Sequence, residues 1–267
     1  MDRYLVAAGE SVDLAARDAN DKGDFKGGKR EGRQRLTVLS LELRRLQEML
    51  YAGQPKAVLI VLQGMDTAGK DGAIRHVFGA LNPQGVRVAS FKKPSTEEQA
   101  HDYLWRVHQK APRQGELVIF NRSHYEDVLV VRVHGLQPEE VWRKRYEQIN
   151  AFERMLVAEG TLILKFFLHI TADEQKERLQ ARLDRPDKLW KFNPGDLAER
   201  KLWPHYTAAY QEALNKTSTE WAPWRIVPAN RKWYRDLVVG ETTAAALRGL
   251  KMSFPAVDFD PQAITIA

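Results

Sequence analysis

An unbroken apolar run, followed at once by glycines and a lysine, constrains this chain more than any other feature. Ala57-Val58-Leu59-Ile60-Val61-Leu62 contains no polar residue, as a strand buried on both faces requires. Gly64-Met65-Asp66-Thr67-Ala68-Gly69-Lys70-Asp71 comes next, and in Gly72-Ala73-Ile74-Arg75-His76-Val77-Phe78 apolar residues return at helical spacing. This strand, loop and helix match the phosphate-binding pattern G-x-x-x-x-G-K-[ST] up to its last position, where Asp71 replaces the hydroxyl residue. Glycines in such a loop let successive backbone N–H groups turn inward, and the helix start adds partial positive charge. Gly64, Ala68, Gly69, Asp71 and Gly72 would thus hold a polyanion mostly through main chain, with Lys70 as a mobile cation. The plainer alternative is a Gly-rich turn in which Asp71 caps the helix; the flanking strand and helix favour the phosphate reading.

Asp66 and Asp71 would repel an anion held beside them. A hard cation removes the conflict, because Mg²⁺ can sit between carboxylate and phosphate oxygens. The loop therefore implies Mg²⁺ as well as phosphate.

The 267 residues suffice for one sizeable core. No apolar run is long enough to span a membrane, and Met1-Asp2-Arg3-Tyr4 lacks the order of a signal peptide, which points to the cytoplasm. The absence of cysteine excludes disulfides, thiolate catalysis and a Cys-based zinc site. A net charge of +6 points to an acidic partner, whether nucleic acid, anionic lipid or a phosphate polymer. The basic residues are spread along the chain, so a charged groove on the fold is expected rather than a basic tail.

Residues 1–35 are polar and Gly-rich and read as an arm lying over the body or partly disordered, with 36–267 as the main domain. Leu36, Leu39, Leu43, Leu46 and Leu50 mark an amphipathic helix. Further strands are expected at Val86–Phe91, Leu117–Phe120, Leu162–Leu168 and Trp224–Pro228, and helices over Pro138–Glu159 and Trp233–Leu250. Another helix should start near Ser95, carry His101, Tyr103, Trp105 and His108, and stop at Pro112. Apolar strands alternating with helices give an α/β fold, a parallel five-stranded sheet covered on both faces, with ligands bound outside the carboxyl ends of the strands. Asp66, Lys92, Lys93 and the cluster Asn121 to Asp127 lie at such ends and should converge. One stretch breaks the alternation: a helix opening at Thr171-Ala172-Asp173 carries Arg178 and Arg182 one turn apart, within a segment of about 171–200. It reads as a lid closing over a phosphate donor, the alternative being a solvated helix with surface arginines.

Laid out in this way, the sequence resembles the type-2 polyphosphate kinases. The likeness rests on the loop Gly64–Gly72, on Ser90-Phe91-Lys92-Lys93-Pro94-Ser95, on Phe120-Asn121-Arg122-Ser123-His124-Tyr125-Glu126-Asp127-Val128 and on Asp187-Lys188-Leu189-Trp190-Lys191-Phe192. It implies a three-layer α/β/α P-loop kinase fold with a helical lid. The implied reaction is Mg²⁺-dependent, reversible phosphoryl transfer between inorganic polyphosphate and adenine or guanine nucleotides, in a dimer or tetramer. By position, Asp66 and Lys70 match the family's loop residues, Arg122 its arginine after the third strand, and Arg178 and Arg182 its lid arginines. Many members read Phe-Asp-Arg-Ser-Trp-Tyr-Asn-Arg where this chain has Phe120 to Asp127. The variant here resembles the subgroup called class III, which accepts nucleoside mono- and diphosphates.

The terminal phosphate of AMP or ADP is largely ionised near neutral pH, with a second pKa of about 6, so the nucleophile needs little help from a base. The remaining task is to align two polyanions and offset their repulsion. Mg²⁺, Lys70, Arg122, Arg178 and Arg182 suit it, with Lys92 and Lys93 along the polyphosphate and Asn121, Arg122, Glu126 and Asp127 toward the acceptor. Asp127 is a third candidate metal ligand; alternatively Glu126 and Asp127 cap the helix beginning around Val128. His101, His108 and His124 read as structural or hydrogen-bonding, because direct transfer needs no phospho-enzyme. Two rival functions share some of these features: an ATP-dependent nucleoside or small-metabolite kinase, and a nucleic-acid-binding protein using Trp105, Tyr125, Trp190 and Trp233.

Overall fold

The computed structural model describes residues 2–266. Its strands, β1 (Ala57–Gln63), β2 (Val86–Ser90), β3 (Leu117–Asn121), β4 (Thr161–His169) and β5 (Trp224–Pro228), form one parallel sheet in the order β2-β3-β1-β4-β5. The helices are α1 (Lys29–Tyr51), α2 (Lys70–Val77), α3 (Thr96–Gln99), α4 (Trp105–His108), α5 (Val130–Val133), α6 (Glu139–Ala158), α7 (Ala172–Leu183), α8 (Gly195–Lys201), α9 (Trp203–Thr217) and α10 (Lys232–Gly249). α1, α2 and α10 pack together on one side of the sheet and α5, α6 and α9 on the other, which gives three layers.

The burial of each strand follows its place in the sheet. β1, at the centre, is buried along its whole length, whereas β2 at the edge leaves Val88 exposed. The chain crosses from β1 to the β2–β3 side and then returns to β4 on the other flank. The switch in strand order therefore lies at β1, where open α/β sheets bind ligands. Register completes the placement. Leu62 sits beside Asn121, Gln63 beside Phe167 and Ser90 beside Asn121, so the loops after β1, β2 and β3 leave the sheet side by side.

Two expected features differ. The stretch from Ser95 to Pro112 is two separate single turns, α3 and α4, because Asp102 Oδ1 accepts the backbone N–H groups of Leu104 and Trp105 and restarts the chain there. α1 begins at Lys29 rather than Leu36. Ahead of it, the arm lies over the body. Leu5 pairs with Arg225, the Val6 N–H donates to the Trp224 carbonyl at 2.9 Å, and Tyr4, Val6, Val12 and Leu14 are buried. The arm thus covers the free edge of β5, which would otherwise expose unpaired backbone groups.

Candidate active site

The loop between β1 and α2 keeps three residues in the left-handed region: Thr67 (φ 65°), Gly64 (φ 152°) and Gly69 (φ 103°). Neither glycine could carry a side chain. A Cβ on Gly64 would lie 2.7 Å from the Leu168 carbonyl oxygen, and one on Gly69 only 1.8 Å from Arg235 Nη1. If the loop's N–H groups turn inward, its carbonyls must find donors behind it, and two arginines supply them. Arg178 Nη1 donates to the carbonyls of Thr67 (2.8 Å) and Ala68 (3.0 Å), and its Nη2 to those of Ala229 (2.6 Å) and Asn230 (3.1 Å). Arg235 Nη1 donates to Ala68 at 3.3 Å, while its Nε and Nη2 hold Asp236. Lys70, at the start of α2, folds its ammonium onto the Gly64 carbonyl at 2.6 Å, and burial draws it below the usual lysine range against the pull of Asp66.

The two arginines of α7 are therefore divided. Arg178 is buried on the loop's carbonyls, whereas Arg182 reaches outward to Asp196 Oδ2 (3.3 Å) and the Lys191 carbonyl (3.2 Å). Arg122, at the end of β3 with φ 62°, donates to Asp66 Oδ1 at 3.0 Å and lies 3.8 Å from Glu126 Oε2. Asn121 Nδ2 donates to Asp71 Oδ1 at 2.7 Å. Burial pushes Glu126 above the usual carboxylate range, against Arg122 and Lys70. Asp127 faces another way: Arg145 Nη1 donates to its Oδ1 at 3.1 Å, with Arg106 at 3.9 Å, and burial pushes it up to about 6. No side chain caps the N-terminus of α5, so neither acid serves that helix as a cap.

Two large cavities open at this edge. One, of about 870 Å³, is lined by Asp66, Gly69, Lys70, Asp71, Gly72, Lys92, Asn121, Arg122, Arg178 and Arg182, with Lys188, Lys191 and Lys232 facing it. The other, of about 1130 Å³, is lined by Lys92, Lys93, Tyr103, Arg106, Arg122, Glu126, Asp127 and Arg145. Arg122 and Lys92 line both. A smaller space of about 320 Å³, bordered by Gly64, Asp66, Arg122 and Glu126, lies beside them, and Ala68 is fully buried beneath the loop.

Most sequence-predicted residues thus meet at one edge, but Lys93 and Asp127 line only the second cavity and do not join Asp66 and Asp71. Among the described residues no three His, Asp or Glu gather as a complete metal cage. Mg²⁺ needs no such cage, since one or two carboxylates plus substrate phosphates commonly hold it. Asp66 and Asp71 line the same cavity as the phosphate loop and fit that requirement.

A family profile described as polyphosphate kinase 2 matches residues 26–255. The chain belongs to the polyphosphate kinase 2 family. Its likeness to individual members extends over nearly the full length. It is 54% identical over 266 residues to the AMP/ADP-polyphosphate phosphotransferase of Meiothermus ruber, covering 100% of both chains. It is 44% identical to the ADP-polyphosphate phosphotransferase of Rhodopseudomonas palustris, covering 95% of this chain and 91% of that one. The crystal structure of polyphosphate kinase 2 from Arthrobacter aurescens superposes with a TM-score of 0.95 at 46% identity, covering 98% of this chain and 93% of that one.

In this family member two sets of residues escaped the sequence reading. Arg235 looks like any basic residue in a helix, and only the glycines beneath it hint that something must cover the loop. Glu153 and Lys165 are fully buried and paired at 2.6 Å beside His124 and Tyr125. A lysine inside the otherwise apolar run Leu162–Leu168 was the available signal, because a buried ammonium needs a partner. His101 stacks on Trp105 with ring centres 4.1 Å apart, and His108 packs edge-on against Phe152.

Proposed function

We propose that this chain transfers a phosphoryl group between inorganic polyphosphate and AMP or ADP. The observation that carries the reading is Arg122, whose side chain borders both large cavities, so that phosphates entering from either side meet at one guanidinium. The cavity over the phosphate loop, with its many cations, suits an extended polyanion. The second, which offers Tyr103 and Arg145 as well as charge, suits a nucleotide.

In this reading an acceptor phosphate oxygen attacks the terminal phosphorus of the polyphosphate. The new P–O bond forms as the bond to the next phosphate breaks, and the shortened polyphosphate leaves with the bridging oxygen. Lys70 and Arg122 offset the charge where the two anions meet, while Arg182, Lys188, Lys191 and Lys232 surround the donor. Arg178 and Arg235 act on the backbone, holding the loop carbonyls outward so that its N–H groups remain available. Asp66 and Asp71 would hold Mg²⁺, which when bound would draw donor and acceptor oxygens together and neutralise charge. The segment 171–200 serves as a lid over the kinase domain, and the residues ahead of α1 as an arm. A cytoplasmic, homo-oligomeric enzyme accepting guanine as well as adenine nucleotides completes the proposal.

Incubation with Mg²⁺, polyphosphate and either AMP or ADP, with no ATP added, tests it. ATP should appear from ADP, and ADP followed by ATP from AMP. Transfer only when ATP is supplied as donor would make the chain a nucleoside or metabolite kinase. Tight, salt-sensitive binding of single-stranded nucleic acid with no transfer would make it a binding protein.

A further inference from the structure

Behind the turn that carries Arg122 lies a charged cluster that the phosphoryl-transfer reading leaves unused. Lys165 on β4 places its Nζ 2.6 Å from Glu153 Oε2 on α6, 2.8 Å from the Tyr125 hydroxyl and 2.7 Å from the Thr217 carbonyl at the end of α9. Glu153 Oε1 accepts the Tyr125 hydroxyl at 2.8 Å and lies 3.1 Å from His124 Nε2. Glu153, Lys165, His124 and Tyr125 are all fully buried. Burial pushes Glu153 up and draws Lys165 down, while Lys165 and His124 hold the Glu153 carboxyl below the usual carboxylate range.

Stability alone is a poor reason for such a pair, since well-packed apolar residues of similar volume commonly serve a core as well or better. What the cluster grips is more telling. His124 and Tyr125 follow Arg122 by two and three residues, and Glu126 comes next. Arg122 sits in the left-handed region at φ 62°, a conformation that persists in a non-glycine residue only where its surroundings hold it. On the β1 side the turn is tied by Gln63 Nε2, which donates to Ser123 Oγ at 3.1 Å. On the other side His124 and Tyr125 tie it to α6, β4 and α9 through Glu153 and Lys165, and Arg145 of α6 holds Asp127 at its far end.

We propose that Glu153 and Lys165 are positioning residues for phosphoryl transfer. Through His124 and Tyr125 they lock the turn that aims the Arg122 guanidinium at the junction of the two cavities and keeps the Glu126 carboxylate beside it. This rests on the polyphosphate–nucleotide reading above. Arg122 is used on the transferring group, so loosening its turn affects the chemical step more than the binding of either substrate.

Steady-state kinetics and melting curves on the full chain, with Mg²⁺, polyphosphate and ADP, test the proposal. Removing one charge would leave the other buried and alone, so both are changed together. Glu153→Leu with Lys165→Met leaves the Tyr125 hydroxyl and the Thr217 carbonyl without these partners and should melt several degrees below wild type; while still folded at the assay temperature it should lose roughly 10- to 100-fold in kcat with KM for both substrates within about twofold. Glu153→Gln with Lys165→Met returns an acceptor oxygen to Tyr125 and should recover much of that loss. Tyr125→Phe deletes one hydroxyl from an otherwise intact pair and should lower kcat several-fold at unchanged KM; it decides the matter if the apolar double variant does not fold. Wild-type turnover in the apolar double variant, or in Tyr125→Phe, overturns the proposal. So does a loss in the double variants that tracks melting temperature and is not recovered by the glutamine. A wild-type protein that makes no ATP from polyphosphate would instead refute the functional reading itself.

Discussion

Arg122 at the end of β3 reaches across to Asp66 beyond the end of β1, Nη2 to Oδ1 at 3.0 Å, and so ties the two loops that flank the switch in strand order. Each neutralises the other while no substrate is bound. A metal ion at Asp66 and a phosphate at Arg122 would take over both halves of that pair. Asp66→Asn should therefore lower turnover at least tenfold, and raised Mg²⁺ should recover part of it if the carboxylate is a metal ligand. Measuring kcat against Mg²⁺ concentration checks this. No recovery at any concentration would leave Asp66 as a partner of Arg122 alone.

Lys70 is the cation closest to the loop backbone, and its ammonium rests on the Gly64 carbonyl at 2.6 Å. An arriving phosphate offers a stronger acceptor than that carbonyl, so the ammonium should turn outward when substrate binds. Lys70→Ala should fold normally and lose roughly 100-fold or more in kcat. A folded variant with normal turnover would refute the phosphate-loop reading.

Arg178 and Arg182 should part company when each is replaced by alanine. Arg178→Ala takes the donor from the carbonyls of Thr67, Ala229 and Asn230 and leaves that of Ala68 to Arg235 alone, and should cost about 2 kcal/mol or more in stability together with turnover. Arg182→Ala removes a side chain that faces the cavity and should lower kcat with little change in melting temperature. Equal melting behaviour of the two variants would place Arg178 on substrate instead of on the loop.

This division marks how far the sequence could be read. β1, the loop and α2 were legible because an apolar run, two glycines and a lysine at fixed spacing each answer to a local rule. Arg178 and Arg182 share helical spacing, but a period of 3.6 says only that they point roughly alike, not that one is buried on the loop's carbonyls and the other reaches Asp196 at the cavity. Arg235 and the pair Glu153 with Lys165 act across elements distant along the chain, and no local pattern records such a contact. The docking of the arm was left open for a related reason: Tyr4, Val6, Val12 and Leu14 lie in a polar, Gly-rich stretch with no helix or strand pattern, yet each finds a place in the core. Ser95 to Gln99 carried the capping signal of one continuous helix through His108, and Asp102 interrupted that helix with hydrogen bonds of its own.

Asp127 gives the protein a pH dependence whose sign follows from burial. Its folded value of about 6 lies above the ordinary 3.8, so in that window the folded state binds more protons than the unfolded one. Its contribution to stability is fully present below 3.8 and is lost as pH rises through about 6. The unfolding free energy of wild type minus that of Asp127→Asn should thus fall between about pH 4 and about pH 7, by at most about 3 kcal/mol. Denaturant titrations of both proteins across that range check it; a difference that rises with pH would reverse the assignment.

Glu126 and Asp127 both line the second cavity, but only Glu126 also borders the small space beside Asp66, and this separates what each should do for the acceptor. AMP brings one fewer phosphate than ADP, so with AMP bound fewer substrate oxygens would be available to a metal ion held by Asp66 and Asp71. Asn121 offers only a neutral oxygen and already donates to Asp71. Glu126 borders the same small space as Asp66 and Arg122, whereas Asp127 is held by Arg145 and Arg106 in the second cavity. Glu126 is thus the better placed of the two to offer a carboxylate oxygen there. Glu126→Gln should lower turnover with AMP several-fold more than with ADP, at saturating Mg²⁺ and with the melting temperature preserved. Asp127→Asn leaves Arg145 and Arg106 without their carboxylate and should raise KM for both acceptors alike. Steady-state rates with AMP and with ADP for both variants, beside a melting curve for each, decide between these roles: an AMP-to-ADP ratio unchanged by Glu126→Gln would end the case for Glu126 as the residue that selects the acceptor.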